Sequence, residues 1–357
     1  MATSRPLLIT TDPLLLDDVL RLAAVAGVEV EVAPDPAAAR RPWSGAPVVL
    51  LGADLVAACA AARLPRRPQV VLVGRDLDDA GVWQRAVEVG AEHVIFLPDA
   101  EPWLAATLAE ALEEPAPACP LVAVIAGRGG GGASVLASAL AVSAVRRRLR
   151  VLLVDGDPLG GGLDLVFGAE AATGLRWPDL TATRGRVPGA ALADALPRVQ
   201  GLGLLSWDRG VAAPLGAEAV RAVLAAGRRT HDLLVVDLPR HRDDAAREVL
   251  ESASTVLLVL PAEIRAVAAA TRVVSDSLAA CADVRVVVRV PGPTKLPPHQ
   301  VAHSLRLPLA GELRAEPGLD LALERGEPPG QKLRSPLGVL CDRLLDTVVQ
   351  AGNQAVA

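Results

Sequence analysis

Residues 127 to 134 read GRGGGGAS. The run fits the phosphate-loop pattern G-x-x-x-x-G-K-[ST] at every position except Ala133, where the pattern has lysine. Glycines at Gly127, Gly129, Gly130, Gly131 and Gly132 let successive backbone N–H groups turn inward as an anion-binding nest, and Ser134 can offer its hydroxyl to Mg²⁺. What the run lacks is the ammonium that bridges the β- and γ-phosphates of a bound nucleotide. Carboxylates follow downstream: Asp155 and Asp157 end an apolar run, the turn Gly160–Gly161–Gly162 leads to Asp164, and Asp237 closes HDLLVVDL. Alone, Asp155 and Asp157 would read as caps of a strand and a turn. With the loop and Asp237 they read as parts of one site, whereas Ser134 stands evenly between a site residue and an ordinary helix N-terminal serine.

The elements needed to hold these residues are present in order. LVAVIAG (121–127) is a buried strand, GRGGGG the loop, and ASVLASALAVSAVRRR a helix with small residues toward a sheet. RVLLVDGD, HDLLVVDL, GLGLLSW (201–207), STVLLVLP (254–261), VRVVVRV (284–290) and PLAGELR (308–314) supply further strands. Helices such as 217–229 and 266–280 lie between them. Upstream, strands at 6–11, 28–33, 47–52, 69–74 and 93–97 alternate with helices at 14–27, 82–90 and 101–114. The fold class is α/β twice over: a receiver-like (flavodoxin-like) domain at 1–115, a Pro-rich linker at 116–120, and a P-loop NTPase-like, doubly wound, mostly parallel sheet at 121–357.

The loop, the strand followed by VDGDPLGGGLD, and the strand ending in DLPRH together resemble the deviant Walker family of MinD and ParA ATPases, whose loop is KGGxGK[ST]. The resemblance implies that Arg128 stands for the signature lysine that reaches a dimer partner's phosphates, keeping the charge with a bidentate fork. It implies that Asp157 positions the attacking water and that Asp237 holds the metal through water, giving Ser134, Asp155 and Asp237 as the Mg²⁺ set. ATP is the implied nucleotide, held by residues 127–134, with hydrolysis weak or absent because of Ala133. Where the family often has an Asn that reads adenine after the strand 284–290, this chain has Arg289 followed by PGP.

The upstream order resembles the response-regulator receiver, with its chemistry altered. Asp12 stands for the acidic metal-binding residue, but the third strand ends at Gly52, and Asp54 follows two places later. Gly74 replaces a Ser or Thr, and Leu97 replaces the Lys before Pro98. The expectation is a pseudo-receiver used for docking, with phosphorylation at Asp54 as the alternative. A pseudo-receiver ahead of a MinD-like domain is the layout of the CpaE-like branch, and the degenerate loop is similar to that of its actinobacterial septum-site-determining (Ssd) group. This implies a homodimer, with protein partners in division or pilus and secretion machinery. The alternatives are a slow ATPase in which an arginine replaces the lost lysine, and a ParA-like DNA-binding partition protein.

Composition narrows these classes. The 357 residues are 51% apolar, with no run approaching a membrane span and no signal-peptide pattern at MATSRPLLITTDP, so a cytoplasmic location is expected. Cys59, Cys119, Cys281 and Cys341 are widely spaced and read as buried small hydrophobes. Residues 1–117 carry net charge −8 and the remainder +3, not the footprint of a dedicated nucleic-acid binder. The arginines at 146, 147, 148 and 150 read as a solvated helix end. The final helix, PLGVLCDRLLDTVVQ, lacks a lysine-rich polar face and reads as core packing, not as a peripheral membrane anchor.

Overall fold

The computed structural model describes residues 5–354 apart from 77, 78, 80, 111–118, 182–186, 211–213, 242 and 291–295. The chain divides into two compact units, Met1–Pro115 and Ala116–Ala357.

The first unit is a parallel five-stranded sheet built from β1 (Leu7–Ile9), β2 (Glu31–Ala33), β3 (Val49–Gly52), β4 (Val70–Gly74) and β5 (His93–Phe96), in the order β2-β1-β3-β4-β5. Its inner strands β1, β3 and β4 are short and buried throughout, as a sheet covered by helices on both faces requires, while the edge strands β2 and β5 are partly exposed. Asp12 starts the helix Pro13–Ala26 by accepting from the Leu14 and Leu15 N–H groups, with Pro13 at the first position and Gly27 in the left-handed conformation at the end. Short helices at Pro36–Trp43 and Val56–Ala61 have no counterpart in the sequence reading, because each is too brief to show a helical period. The helix expected at 101–114 is described as Glu101–Glu110, and its last four residues lie outside the described residues.

Asp54 lies just beyond β3 and reaches across to the end of β1. Its carboxylate accepts from the Thr10 hydroxyl (2.9 Å), the Thr11 N–H (2.7 Å), the Thr11 hydroxyl (2.9 Å) and the Asp12 N–H (3.2 Å). Partial burial pushes its pKa up, but these donors outweigh that effect and hold it below the usual carboxylate range. Gly52 allows the approach: a Cβ there would lie 2.2 Å from the Asp54 Oδ1 atom. The two carboxylates nearest the receiver pattern therefore cap a helix and tie two strand ends together.

The second unit is an eight-stranded sheet of β6 (Leu121–Ala126), β7 (Val151–Asp155), β8 (Arg198–Val199), β9 (Leu202–Leu205), β10 (Leu233–Leu238), β11 (Thr255–Pro261), β12 (Val284–Val290) and β13 (Leu309–Arg314). The order is β13-β12-β11-β6-β10-β7-β9-β8, and every pair is parallel except the small hairpin of β8 with β9. The chain runs from β6 to one side through β7 and β9, and later to the other through β11, β12 and β13. The ends of β6 and β10 therefore lie at the switch point where ligands bind in open α/β sheets. Of the expected linker, residues 116–118 lie outside the described residues. Cys119 is buried in this unit, and the Pro120 carbonyl accepts from the Leu234 N–H (3.0 Å).

The helix Ala133–Arg146 is buried along most of its length, with Ala137, Ala139, Ala141 and Ala144 all at 0% exposure. Small side chains let the strands and the final helix, Pro336–Gln354, pack against it. The final helix contributes Leu337, Leu340, Cys341, Leu344, Leu345 and Val348 to the same cluster. Its polar side is clamped by arginines: Arg146 to Asp342 (3.4 Å) and the Gly330 carbonyl, and Arg147 to Asp342 (3.3 Å) and Asp346 (2.6 Å). Arg150 pairs with Asp232 (2.6 Å). Three members of the arginine run thus make internal ties. All four cysteines are buried and free, and among the described residues no helix is long and apolar enough to cross a membrane.

Replacing Asp54 by alanine is expected to destabilise the first unit by about 1–2 kcal/mol, since four donors lose their acceptor at a partly exposed site. Native-state hydrogen exchange of β1 and β3 measures this, and unchanged protection would show that the tie adds no net stability.

Candidate functional site

Register brings the carboxylates together. In the β10–β7 pairing Asp237 stands opposite Asp155, and in the β10–β6 pairing it stands opposite Val124 beside the loop strand. Both acids end strands that are otherwise apolar, so both are desolvated: Asp155 is 2% exposed and Asp237 4%. Gly156 permits the next step of the chain, because its N–H donates to the Asp237 carbonyl (2.8 Å) and a Cβ there would meet that same oxygen at 2.8 Å.

Asp155 is an internal hub. Its Oδ1 accepts from the Asp157 N–H (3.2 Å), and its Oδ2 accepts from the Leu163 N–H (2.8 Å) and the Ser206 hydroxyl (2.9 Å). Its carbonyl accepts from two indole N–H groups, Trp177 (2.6 Å) and Trp207 (3.2 Å), whose rings lie 6.0 Å apart in a tilted pair. Those bonds fix the loop 156–163, which carries Asp157 on its near side. Asp157 is partly exposed and accepts only a local bond from the Leu159 N–H (3.0 Å). Asp164, buried, pairs with Arg209 (2.9 Å) at the far end of the loop.

The glycine run closes the opposite wall. Gly127 continues β6, its N–H donating to the Val259 carbonyl (2.8 Å), and the Gly131 N–H turns back to the Arg128 carbonyl (3.1 Å). Gly130 and Gly132 take positive φ, +68° and +101°, which favours glycine at both places. Gly132 is the N-cap of the helix Ala133–Arg146, and no side chain caps that helix. Its first N–H groups are therefore left for an incoming acceptor. Ser134, exposed at the start of that helix, stands beside Asp237 and lines the same cleft. Ala133 is 6% exposed, a methyl where the pattern has a cation.

Together these residues line a cleft of about 550 Å³, with Gly129–Gly132, Ala133 and Ser134 on one side and Asp157, Asp237, Arg240 and His241 opposite. Arg128 and Asp155 do not line it. Arg128 folds back to Glu263 (3.3 Å), an exposed pair that constrains the side chain weakly. Sequence reasoning missed Trp177, Trp207 and Ser206 as supports of Asp155, and missed Arg289, which lines the cleft from the end of β12. Among the described residues no three His, Cys or acidic side chains converge as a metal cage. Mg²⁺ held chiefly by phosphate oxygens and water needs no such cage.

Burial pushes the Asp237 carboxyl up to about 7, against the opposing effect of Ser134 beside it and with help from the charges of Asp155 and Asp157. Burial likewise pushes Asp155 up to about 6 despite its three donors. Between about pH 4 and pH 7 the folded chain thus holds protons that the unfolded chain has released, so this contribution to stability falls as pH rises. It is complete below pH 4 and lost as pH passes through about 6 to 7. Asp237→Asn is expected to flatten that slope and to stabilise the metal-free protein at pH 7.5 by about 1–3 kcal/mol. Denaturant unfolding across pH 4.5–7.5 reads both, and parallel slopes for the two proteins would contradict the assignment.

The comparisons bear on the family and the fold. Residues 9–118 match the family model described as "Rv3660c-like, CheY-like N-terminal domain". The Mycobacterium tuberculosis protein Rv3660c is 41% identical over 350 residues, covering 96% of this chain and 97% of that one. Among solved structures, a ParA family ATPase from Chlorobium tepidum superposes with TM-score 0.56 at 15% identity, covering 64% of this chain and 98% of its own. The septum site-determining protein MinD from Pyrococcus horikoshii, complexed with Mg-ADP, gives TM-score 0.50 at 18% identity, with 64% and 96% covered. A CheY-like domain thus precedes a MinD/ParA P-loop fold in the CpaE-like arrangement, and the chain belongs to the Rv3660c-like family.

Proposed function

We propose that this chain is a cytoplasmic regulatory or positioning protein of the MinD/CpaE type, acting in septum placement or in polar pilus or secretion assembly. Its P-loop unit serves as a nucleotide-responsive, dimerising platform for protein partners, and hydrolysis is impaired. The observation that carries this reading is the desolvated Asp237, with Ser134 beside it, in a cleft under an uncapped, glycine-lined helix N-terminus. A hydroxyl and a buried carboxylate without a cation form a costly arrangement that Mg²⁺ with phosphate would relieve. The MinD of the comparison is complexed with Mg-ADP, which supports the same assignment.

In this reading the backbone N–H groups of the loop hold the phosphates, Ser134 and Asp237 hold Mg²⁺, and Asp157 orients a water. Bound Mg²⁺ supplies charge neutralisation between phosphate oxygens. Asp155 acts from behind: its three carboxylate bonds set the loop on which Asp157 rides, and it does not face the cleft. Arg128, exposed and weakly paired, is free to leave Glu263 for a second copy's phosphates. The first unit has lost the receiver's acceptor chemistry to structural bonds and serves as a docking domain.

Calorimetric titration of the natural protein and of Ala133→Lys with Mg-ATP tests the assignment. The expectation is binding by both, with phosphate release rising about 100-fold in Ala133→Lys and collapsing again when Asp157→Ala is added. Binding by Ala133→Lys alone would make the loop a retired site on a docking scaffold, and binding by neither would remove nucleotide from the function altogether.

A further inference from the structure

Arg289 ends β12 two strands away from the loop strand, at a position held firmly by the backbone. It pairs with Pro261 of β11, and its carbonyl accepts from the Ala262 N–H (3.0 Å). From there the side chain crosses to the glycine loop. Its Cδ and Nη1 atoms both lie 3.9 Å from where a Cβ on Gly132 would stand, directly before the position that lost its lysine. The Nε atom is shielded from solvent and has no hydrogen-bond partner among the described residues. A guanidinium donor that is desolvated and unpaired beside an uncapped helix N-terminus is poorly satisfied until an anion arrives. The other candidate cations are placed differently. Arg128, whose Nε is likewise shielded and without a partner among the described residues, turns its Nη2 to Glu263 and does not line the cleft, and Arg240 and His241 line it from the loop after β10.

We propose that Arg289 has taken over the phosphate-binding charge missing at Ala133, delivering it in cis from the end of β12 in the same cleft. The proposal rests on reading the cleft as a nucleotide site. Arginine suits the task from that distance, since its side chain is long and its fork can engage two oxygens of a di- or triphosphate at once. The charge then comes from a neighbouring strand end and not from the loop helix. Tight binding depends on the phosphates, and the bare nucleoside gains nothing from it.

Titration of the full-length chain with Mg-ATP, Mg-ADP and adenosine, using the natural protein, Arg289→Ala, Arg289→Lys, Ala133→Lys and the double variant Arg289→Ala/Ala133→Lys, tests this. Arg289→Ala is expected to weaken Mg-ATP and Mg-ADP about 10- to 100-fold while leaving adenosine unchanged. Arg289→Lys should retain part of the affinity, and the double variant should recover it, because a cation returns to the loop. Mg-ATP binding unaltered in Arg289→Ala would overturn the proposal and leave the nucleotide site standing. A loss that Ala133→Lys cannot restore would also overturn it, since Arg289 would then serve something other than the missing charge. Binding by Ala133→Lys but not by the natural protein would refute the proposal alone, whereas binding by neither would refute the proposal and the site together.

Discussion

Two carboxylates at the ends of adjacent parallel strands, both removed from water, set the conditions for everything around them. The register of β10 with β7 makes Asp155 and Asp237 neighbours, and the apolar strands that carry them give neither any solvent. A buried carboxylate can be made tolerable by hydrogen-bond donors, by a proton or by a cation. Asp155 is supplied with donors: two backbone N–H groups and the Ser206 hydroxyl on its carboxylate, and two indoles on its carbonyl. Asp237 has only the neighbouring Ser134 side chain to offset its burial among the described residues. The difference separates a structural acid from one whose environment remains incomplete, and the cleft opens beside the second.

The two units show the same residue type released from chemistry in different degrees. In the first, Asp12 and Asp54 spend their lone pairs on backbone N–H groups and threonine hydroxyls at the ends of β1 and β3. Leu97, buried at 3% exposure, stands where the receiver pattern has lysine. In the second, the acidic half of the site keeps its geometry, and the positive half has been redistributed. Charge has left the loop at Ala133, while arginines stand beside it, at Arg128 and Arg289, and elsewhere in the cleft lining, at Arg240. With only two lysines in the chain, arginine is the cation available, and its longer reach permits such displacement.

The architecture was legible in the sequence because parallel strands buried on both faces write themselves as short apolar runs, and the glycine loop between one such run and a small-residue helix has few other readings. β12 coincides with the apolar run that announces it, residues 284–290. What stayed hidden depends on partners distant in the chain. Asp155 looked like a candidate metal ligand from its place at a strand end. Its actual bonds come from Trp177, 22 residues on, and Ser206, 51 residues on, and no local pattern encodes them. Arg128 took its expected role from its place in the motif, yet its nearest acid, Glu263, is 135 residues away. Arg289 stood out in the sequence as a departure from the adenine-reading position. Its approach to Gly132 follows from the order of strands in the sheet, which the sequence does not state.

The clasp between the helix Ala133–Arg146 and the final helix also bears on how the molecule comes into being. The first unit closes its sheet with β5 and its last helix before residue 115, so it can fold while the rest is still being translated. The loop helix, by contrast, finds one of its apolar faces covered by residues 336–348. Synthesis must therefore proceed about 200 residues past the glycine loop before the helix that organises it is fully sheltered, a long interval at ribosomal rates of ~5–20 residues per second. Throughout that interval a nascent chain presents an Ala- and Leu-rich surface to the cytosol. Loss of residues 336–348 would therefore uncover the helix that carries the glycine loop.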